Sequence, residues 1–462
     1  MDMRLQILPV QLQWQIQRVL YDYYQYEVSM KKVLLIITAI LLCITAVSCQ
    51  NRMSDEEIIE QMGGVEALAG SEENTENDDA AKEIELSDYP TGVEGLISPD
   101  LTIRNGKYYY LTKRSNGYVG VEMISYIDLE TKESFIICPD PLCKHGEDWS
   151  CKYTEFQEIY LTDTPGVFYS IKMNTERPPI CRIDLNQDTV ETVYTSDTFY
   201  TTILGIDEGK LYFYKVESVV QDKQSKRMSH FYYIDTATDE LIDIGFLPER
   251  FTVEGGLIFM IHKGEIYYHA KNGEIRKTDF DFSESTLICD AGNLGVANWV
   301  YDEKTDELYL LLTNEDERKG NLYVYRNGTA EQVKLPHENI CIFTMTNSEI
   351  YYSIYDTNAV SYGKSRAPGN PEVYDLAGGR VYMVDREQPS EAELVFDHPG
   401  EYYLASPLTS YCVIDNCIYF DEPDLVRENI NGVDYVYFDY AITMNRIRAD
   451  LKTGEITRLK FE

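Results

Sequence analysis

Four residues with the chemistry to bind a metal lie within one short stretch. Cys138, Cys143, His145 and Cys151 fall in CPDPLCKHGEDWSC, residues 138–151. Thiolate and imidazole are suitable zinc ligands, although the spacing C-x4-C-x-H-x5-C differs from that of the usual structural zinc sites. A disulfide between two of the cysteines is the favoured interpretation, because pairing is the commonest fate of cysteine outside the cytoplasm. A reactive nucleophile is disfavoured because no base and no C-x-x-C pair is evident.

The cysteine count leaves the choice between metal and disulfide open. The chain has 10 Cys, and setting aside Cys43 in an apolar run and Cys49 leaves an even number, with too many pairings for the connectivity to be read. Cys412 and Cys417 flank a tight turn whose register places Cys412 opposite Tyr419, so we expect no bond between them. The sequence does not determine a cofactor. Zinc and calcium are the candidates that suit an acidic chain.

The N-terminal region has the pattern of an export signal. Two lysines at residues 31–32 precede an apolar run from Val33 to Val47, which is shorter than the roughly 20 residues that span a bilayer. The ending at Cys49, after AVS, resembles the lipobox of bacterial lipoproteins, which implies a signal peptide at 30–48 and lipidation of Cys49. The open alternatives are an uncleaved anchor and an ordinary signal. Residues 1–29 are interpreted as a start-site artefact or an extension.

Residues 49–94 are predicted to form an acidic, disordered tether. From Ser54 to Asp88 there are thirteen Asp and Glu against one lysine, Lys82, and no aromatic residue. Such a segment buries too little apolar area to offset the entropy of ordering it. The whole chain carries a net charge of −37, which argues against a nucleic-acid partner. Contact with the membrane is therefore expected only through the lipidated Cys49.

Two sets of residues alternate along the rest of the chain. The first set comprises tyrosines that follow a turn: Tyr108, Tyr169, Tyr212, Tyr267, Tyr309, Tyr351 and Tyr419. The second set marks the end of a later strand: Asp128, Asp184, Asp235, Asp279, Arg326, Asp385 and Asp450. The second set recurs at intervals of about 54 residues, a period typical of repeat architectures. This period, together with four short strands per unit, favours an all-β fold. The specific prediction is a propeller of seven four-stranded blades over residues 95–462.

The repeat also predicts local structure. We expect each tyrosine ring to pack between blades with its hydroxyl at a polar edge, and each Asp to accept hydrogen bonds from the amides of its turn. In the third unit we predict strands TTILGID, KLYFYKV, SHFYYID and ELIDIGF, with ESVVQDKQSKRM as a loop.

Two kinds of sequence segment resemble those of TolB-like and low-density-lipoprotein-receptor-like β-propeller lipoproteins of Firmicutes. The first kind is NGKYYY and EGKLYF, and the second kind, which follows it, is CRIDLNQDT and IRADLKTGE. The resemblance covers about residues 95–460. It implies a fold and a location in the cell envelope, and it implies no activity.

The longest loops are predicted on one face of the propeller, where B–C loops and D–A connections meet. Residues 355–379 and 421–433 form the longest B–C loops, and the 138–151 stretch is a D–A connection. Long loops on a rigid scaffold are the usual place for binding. The candidate binding-face residues are His337, His398, Tyr355, Tyr362 and Tyr374.

No catalytic motif is present: the chain lacks G-x-S-x-G, a P-loop, H-E-x-x-H and Rossmann glycines. No catalytic residue is therefore assigned. The favoured function is a binding or scaffold lipoprotein, anchored to the cytoplasmic membrane and facing outward in the envelope, with an envelope protein, peptide or glycan as partner. The alternative is an extracytoplasmic hydrolase or lyase that acts on glycans or peptides.

Overall fold

The computed structural model describes residues 91–459, except for the gaps 116–119, 139, 141–142, 144–150, 174–176, 197–200, 222–223, 249–255, 271, 283, 315–316, 357–360, 365–371, 375–376, 399–403, 405–410, 424, 431–432 and 439–443. The predicted signal and most of the predicted tether, including Cys49, lie outside these residues. Within the described residues, no helix is long and apolar enough to cross a bilayer.

The protein is a seven-bladed β-propeller with four antiparallel strands, A to D, in each blade. The first strand, β1 (Leu96–Ile97), lies outside the repeat and adds a fifth strand to the sheet of one later blade. Blades 1 to 3 are β2–β5 (Ile103–Arg104, Lys107–Ser115, Gly120–Asp128, Ser134–Ile136), β6–β9 (Phe156–Leu161, Val167–Lys172, Pro179–Asp184, Thr189–Thr195) and β10–β13 (Thr201–Asp207, Lys210–Gln221, Gln224–Asp235, Leu241–Phe246). Blades 4 and 5 are β14–β17 (Gly256–His262, Glu265–Ala270, Glu274–Asp279, Ser285–Asp290) and β18–β21 (Gly295–Asp302, Glu307–Asn314, Lys319–Arg326, Thr329–Gln332).

The last two blades carry inserted strands between B and C. Blade 6 is β22, β23, β26 and β27 (Ile340–Met345, Glu349–Ile354, Arg380–Asp385, Glu393–Asp397), with β24 and β25 (Ser361–Lys364, Glu372–Tyr374) inserted. Blade 7 is β28, β29, β32 and β33 (Tyr411–Ile414, Cys417–Pro423, Met444–Asp450, Ile456–Arg458), with β30 and β31 (Leu425–Ile430, Val433–Phe438) inserted. The predicted all-β fold with seven four-stranded blades is confirmed.

The ring closes without exchanging a strand between its ends. Blades 1 and 7 are each built from a continuous part of the chain, and they join where Lys113 of β3 pairs with Met444 of β32. Side chains close the ring instead, and they pack between the two blades around Tyr108 and Tyr419. The ring centroids of these two tyrosines lie 5.6 Å apart.

The N-terminal segment (Thr91–Ile97) lies across the A–B turns of three blades. Its β1 pairs antiparallel with β18, the innermost strand of blade 5. Its other contacts are backbone hydrogen bonds from the turns of blades 7, 6 and 5: Asp415 N to Thr91 O (2.9 Å), Asn347 N to Gly92 O (2.7 Å) and Glu303 N to Gly95 O (2.8 Å). Val93 and Leu96 are buried in the core between blades 5 and 6. Residues 91–94, predicted as tether, therefore pack as part of the propeller.

The repeat residues occupy the positions predicted for them. All seven tyrosines of the first set are buried, and the hydroxyl of Tyr169, for example, donates to Asp239 Oδ1 of the next blade at 2.6 Å. Five Asp of the second set accept from two backbone amides of their own turn: Asp128, Asp184, Asp235, Asp385 and Asp450. The packing and turn predictions are confirmed at these positions.

Three predicted loops contain strands, one of them the loop 355–379 of blade 6, which contains β24 and β25. In blade 3, β11 and β12 pair without interruption as far as Gln221 and Gln224, so most of ESVVQDKQSKRM extends the hairpin rather than forming a loop. In blade 7, the predicted loop 421–433 is part of a longer insertion that contains the β30–β31 hairpin. The prediction missed these strands because none of the three segments has the regular apolar–polar alternation from which a half-buried strand is predicted.

Candidate functional site

The three cysteines of the 138–151 stretch converge. The Sγ atoms of Cys138, Cys143 and Cys151 all lie within 4.8 Å of one another. Among the described residues, this is the one group of three or more His, Cys, Asp or Glu with that geometry. No cysteine among those residues is disulfide-bonded. His145, the fourth residue of the predicted site, lies outside the described residues.

The sheet of blade 1 fixes both ends of the connection that carries the cysteines. Before the connection, the backbone N–H of Ile137 donates to Ile124 O at 3.2 Å. After it, the N–H of Glu155 donates to Glu122 O at 2.7 Å. Ile124 and Glu122 are two residues apart on β4, so the two ends are held side by side. Cys138 and Cys151 are therefore brought together by backbone pairing.

Local turns place the remaining sulfur and complete the cluster. The N–H of Cys143 donates to Asp140 O at 3.1 Å, which folds the connection back after Cys138. The carbonyl of Cys151 accepts from the hydroxyl of Thr154 at 2.7 Å. These bonds set the backbone at each cysteine independently of any bond between the sulfurs.

The cluster sits against the apolar core between blades 1 and 2. Cys151 is buried together with Tyr153 and Phe156, and Cys138 and Cys143 pack against the same core. Burial raises the pKa of the Cys151 thiol to about 12 and also raises that of Cys138. Without a bound cation, the thiols of these two residues are therefore neutral at pH 7, which gives them the reactivity of packed rather than activated cysteines.

Three of the other predicted binding-face residues have described side chains, and each packs against its own neighbours. His337 packs its ring on Tyr382, with centroids 4.3 Å apart, and its Nδ1 lies 2.8 Å from the Tyr352 hydroxyl. His398 packs on Phe396 at 4.7 Å. Tyr355 is buried, with 5 % of its surface exposed, so its ring is placed for packing rather than for contact at the surface.

Tyr362 and Tyr374 lie in an added sheet formed by the long insertions of blades 6 and 7. Its strand order is β25-β24-β31-β30, and the two insertions meet where Lys364 of β24 pairs in parallel with Tyr435 of β31. The insertions leave from the B–C side of their blades, the same face as the D–A connection that carries the cysteines. This face therefore bears both the added sheet and the connection that carries the cysteines.

The sequence analysis missed a polar cluster on blade 3. His230 of β12 contacts two carboxylates, with Nε2 2.7 Å from Asp243 Oδ1 and Nδ1 3.3 Å from Glu217 Oε2. The Tyr232 hydroxyl also lies 2.7 Å from Nδ1. The signal was present as polar residues on the neighbouring strands β11, β12 and β13, but it could be read only once the extended hairpin was known.

Comparison with known proteins yields structural likeness alone. No family model and no curated protein matches the chain. The β-propeller domain of the Trilobed protease from Pyrococcus furiosus has 11% identity and a TM-score of 0.46, over 77% of this chain and 92% of that chain. Oligogalacturonate lyase from Vibrio parahaemolyticus has 11% identity and a TM-score of 0.42, over 74% and 96%. TolB from Acinetobacter baumannii has 11% identity and a TM-score of 0.36, over 64% and 65%.

Proposed function

We propose that this chain is a lipoprotein of the cell envelope whose propeller binds a partner through its B–C and D–A face. The observation that carries the proposal is the added sheet β25-β24-β31-β30, because two insertions from neighbouring blades combine into one ordered surface. Insertions that pair with each other present a defined shape, whereas unrelated surface loops have no reason to pair. The partner is an envelope protein, a peptide or a glycan.

The position of the N-terminal segment supports the same choice of face. Thr91 binds the A–B turn of blade 7, so the chain that precedes it joins the propeller on the face opposite the added sheet. In this proposal the tether that carries the lipid on Cys49 therefore starts from the A–B face. The negative net charge makes the lipid, rather than the protein surface, the anchor in this proposal.

The His230 cluster gives no support to the hydrolase or lyase alternative, so binding is preferred. His230, with its two carboxylate contacts, is on strand C of blade 3. The innermost strand of that blade is β10, so His230 is displaced from the mouth of the central channel, where the alternative places its site.

The anchor is tested by mass spectrometry of the protein extracted from membranes, beside a Cys49→Ser variant. The proposal predicts a mature chain that begins at a lipid-modified Cys49, and loss of membrane association in the variant. External protease should digest the wild-type protein on intact cells from which any outer barrier has been removed. A mature chain that begins upstream of Cys49 without lipid would overturn the proposal.

A further inference from the structure

We propose that Cys138, Cys143 and Cys151 form a binding site for a thiophilic divalent cation of the zinc class, with three thiolates as its protein ligands. The site goes beyond the proposed binding function and stands independently of it. It would clamp the long D–A connection between blades 1 and 2 onto the core.

The distances fit a single bound ion. Zinc lies about 2.3 Å from a thiolate sulfur, which places two sulfurs of a tetrahedral site about 3.8 Å apart. The three Sγ atoms are already within 4.8 Å of one another. The sulfurs must therefore approach by about 1 Å or less, a change that side-chain rotation can provide.

The fold provides most of the order that the site needs. The backbone bonds of Ile137 and Glu155 to β4 hold the two ends of the connection together before any ion is present. A site assembled in this way avoids much of the entropy cost of closing this loop on binding. The same bonds explain why residues thirteen positions apart in sequence, Cys138 and Cys151, meet at one point.

A disulfide accounts for less of the geometry. A disulfide joins two sulfurs and would leave the third with no role in the cluster, whereas all three Sγ atoms converge here. All three pairs of sulfurs fall within the same 4.8 Å limit, as expected for ligands of a single ion.

The ligand type selects the class of ion. Thiolates are soft ligands that favour zinc and similar metals, whereas calcium takes six to eight oxygen ligands. Calcium, which was compatible with the acidic sequence, is therefore disfavoured at this position. The nearest described basic side chain in sequence, Lys152, is paired with Asp188 at 2.8 Å, so its charge is directed to that carboxylate rather than to the sulfurs.

The test is metal titration of the full-length protein, purified in detergent and reduced under anaerobic conditions. Cadmium serves as an optical probe through its thiolate charge-transfer absorption, and zinc is then measured by elemental analysis. We expect one cadmium or zinc ion per chain. Cys143→Ser should weaken binding by at least ~100-fold because it removes one of three ligands.

The matched control is Cys289→Ser, which changes a half-buried cysteine outside the cluster and should bind the ion as the wild type does. Thermal unfolding without metal shows whether each variant is folded, and zinc should raise the Tm of wild type and Cys289→Ser but not of Cys143→Ser. The inference is overturned if the reduced wild-type protein binds no ion, or if Cys143→Ser binds as tightly as the control. It is also overturned if the protein isolated from cells carries a disulfide within the cluster and no zinc.

Discussion

The backbone N–H of Asp415, in the A–B turn of blade 7, donates a hydrogen bond of 2.9 Å to the carbonyl of Thr91. The first described residue of the chain is thus bound to the last blade, although the ring itself closes between blades 7 and 1 without a shared strand. The N-terminal segment continues from this bond across blades 6 and 5. It acts as a strap over the A–B face and ties three blades together.

The strap should contribute measurably to stability through Leu96. This side chain is 8% exposed and packs in the core between blades 5 and 6. Leu96→Ala should lower the free energy of unfolding by about 2–3 kcal/mol through lost burial and a residual cavity. Its neighbour on β1, Ile97, is 36% exposed, and Ile97→Ala should cost less than about 1 kcal/mol. Urea unfolding of both variants checks the prediction, and equal losses would show that the strap is not part of the core.

Ring closure should depend on Arg446. Its guanidinium pairs with Asp421 at 2.8 Å and lies 5.1 Å from the centroid of the Tyr108 ring of blade 1. The Arg446 side chain is 8% exposed. Arg446→Met therefore leaves the largely buried carboxylate of Asp421 without its partner. We expect the free energy of unfolding to fall by roughly 3 kcal/mol.

The matched control for Arg446 is Arg326, whose side chain is 48% exposed and pairs with Glu331 at 3.3 Å and with Glu307, which keeps Arg386 as a partner, at 3.4 Å. Arg326→Met should cost less than about 1 kcal/mol because exposed ion pairs contribute little. Denaturant titration, monitored by tyrosine fluorescence, measures the free energy of unfolding of both variants. If Arg446→Met were as stable as Arg326→Met, the closure would not rest on this ion pair.

A second buried ion pair predicts a pH dependence. Arg386 of blade 6 pairs with Asp302 at 2.6 Å and with Glu307 at 2.9 Å, both in blade 5. Burial alone would raise the pKa of each carboxyl, but hydrogen bonds from Arg386 and other donors outweigh it and hold both pKa values below the usual range. A pKa lowered by folding stabilises the protein above the unfolded value and loses that effect as pH falls through the folded value.

We therefore expect Arg386→Gln to destabilise the protein most near neutral pH. The difference from wild type should shrink below about pH 4, where these carboxyls begin to be protonated in the unfolded chain. Urea unfolding of the wild type and of Arg386→Gln, from neutral pH to below about pH 4, measures this difference in stability. A difference that stays constant with pH would show that Arg386 acts through packing alone.

The turn carboxylates give a simpler prediction at Asp184, which is 2% exposed. It accepts from the amides of Asn186 and Gln187 at 3.0 and 3.2 Å. Asp184→Ala should cost about 1–2 kcal/mol because two amides lose their acceptor. Asp184→Asn retains an acceptor oxygen and should recover part of that loss. Thermal unfolding compares the two, and equal stability of both variants would contradict the capping role.

Features encoded in local sequence were predictable. Cys412 does pair with Tyr419 across its turn, as predicted, because residues at the turn fix the register. At that turn Asp415 and Asn416 both have positive φ, as expected of a two-residue hairpin turn. The alternating tyrosines and capping aspartates likewise repeat one local rule in each blade, and their repetition made the blade number readable.

Features that depend on distant contacts were not predictable. The strap at Thr91 is specified by turns more than 200 residues away, and no local pattern marks it. The pairing of Lys364 with Tyr435 joins insertions of two blades. The convergence of the three cysteines was suggested by their proximity in sequence, but it required knowledge that both ends of the connection bind β4. The amino-acid composition alone could not decide whether these cysteines bind a metal or form a disulfide.

Photo-crosslinking in intact cells tests the central claim, that the B–C and D–A face binds the partner. A photoreactive residue is placed either at Asn429 in β30, exposed on the added sheet, or at Lys452, exposed in a C–D turn of the same blade on the opposite face. We expect a discrete crosslinked adduct from position 429 and none from position 452. Adducts from position 452 alone, or equal adducts from both, would contradict the account.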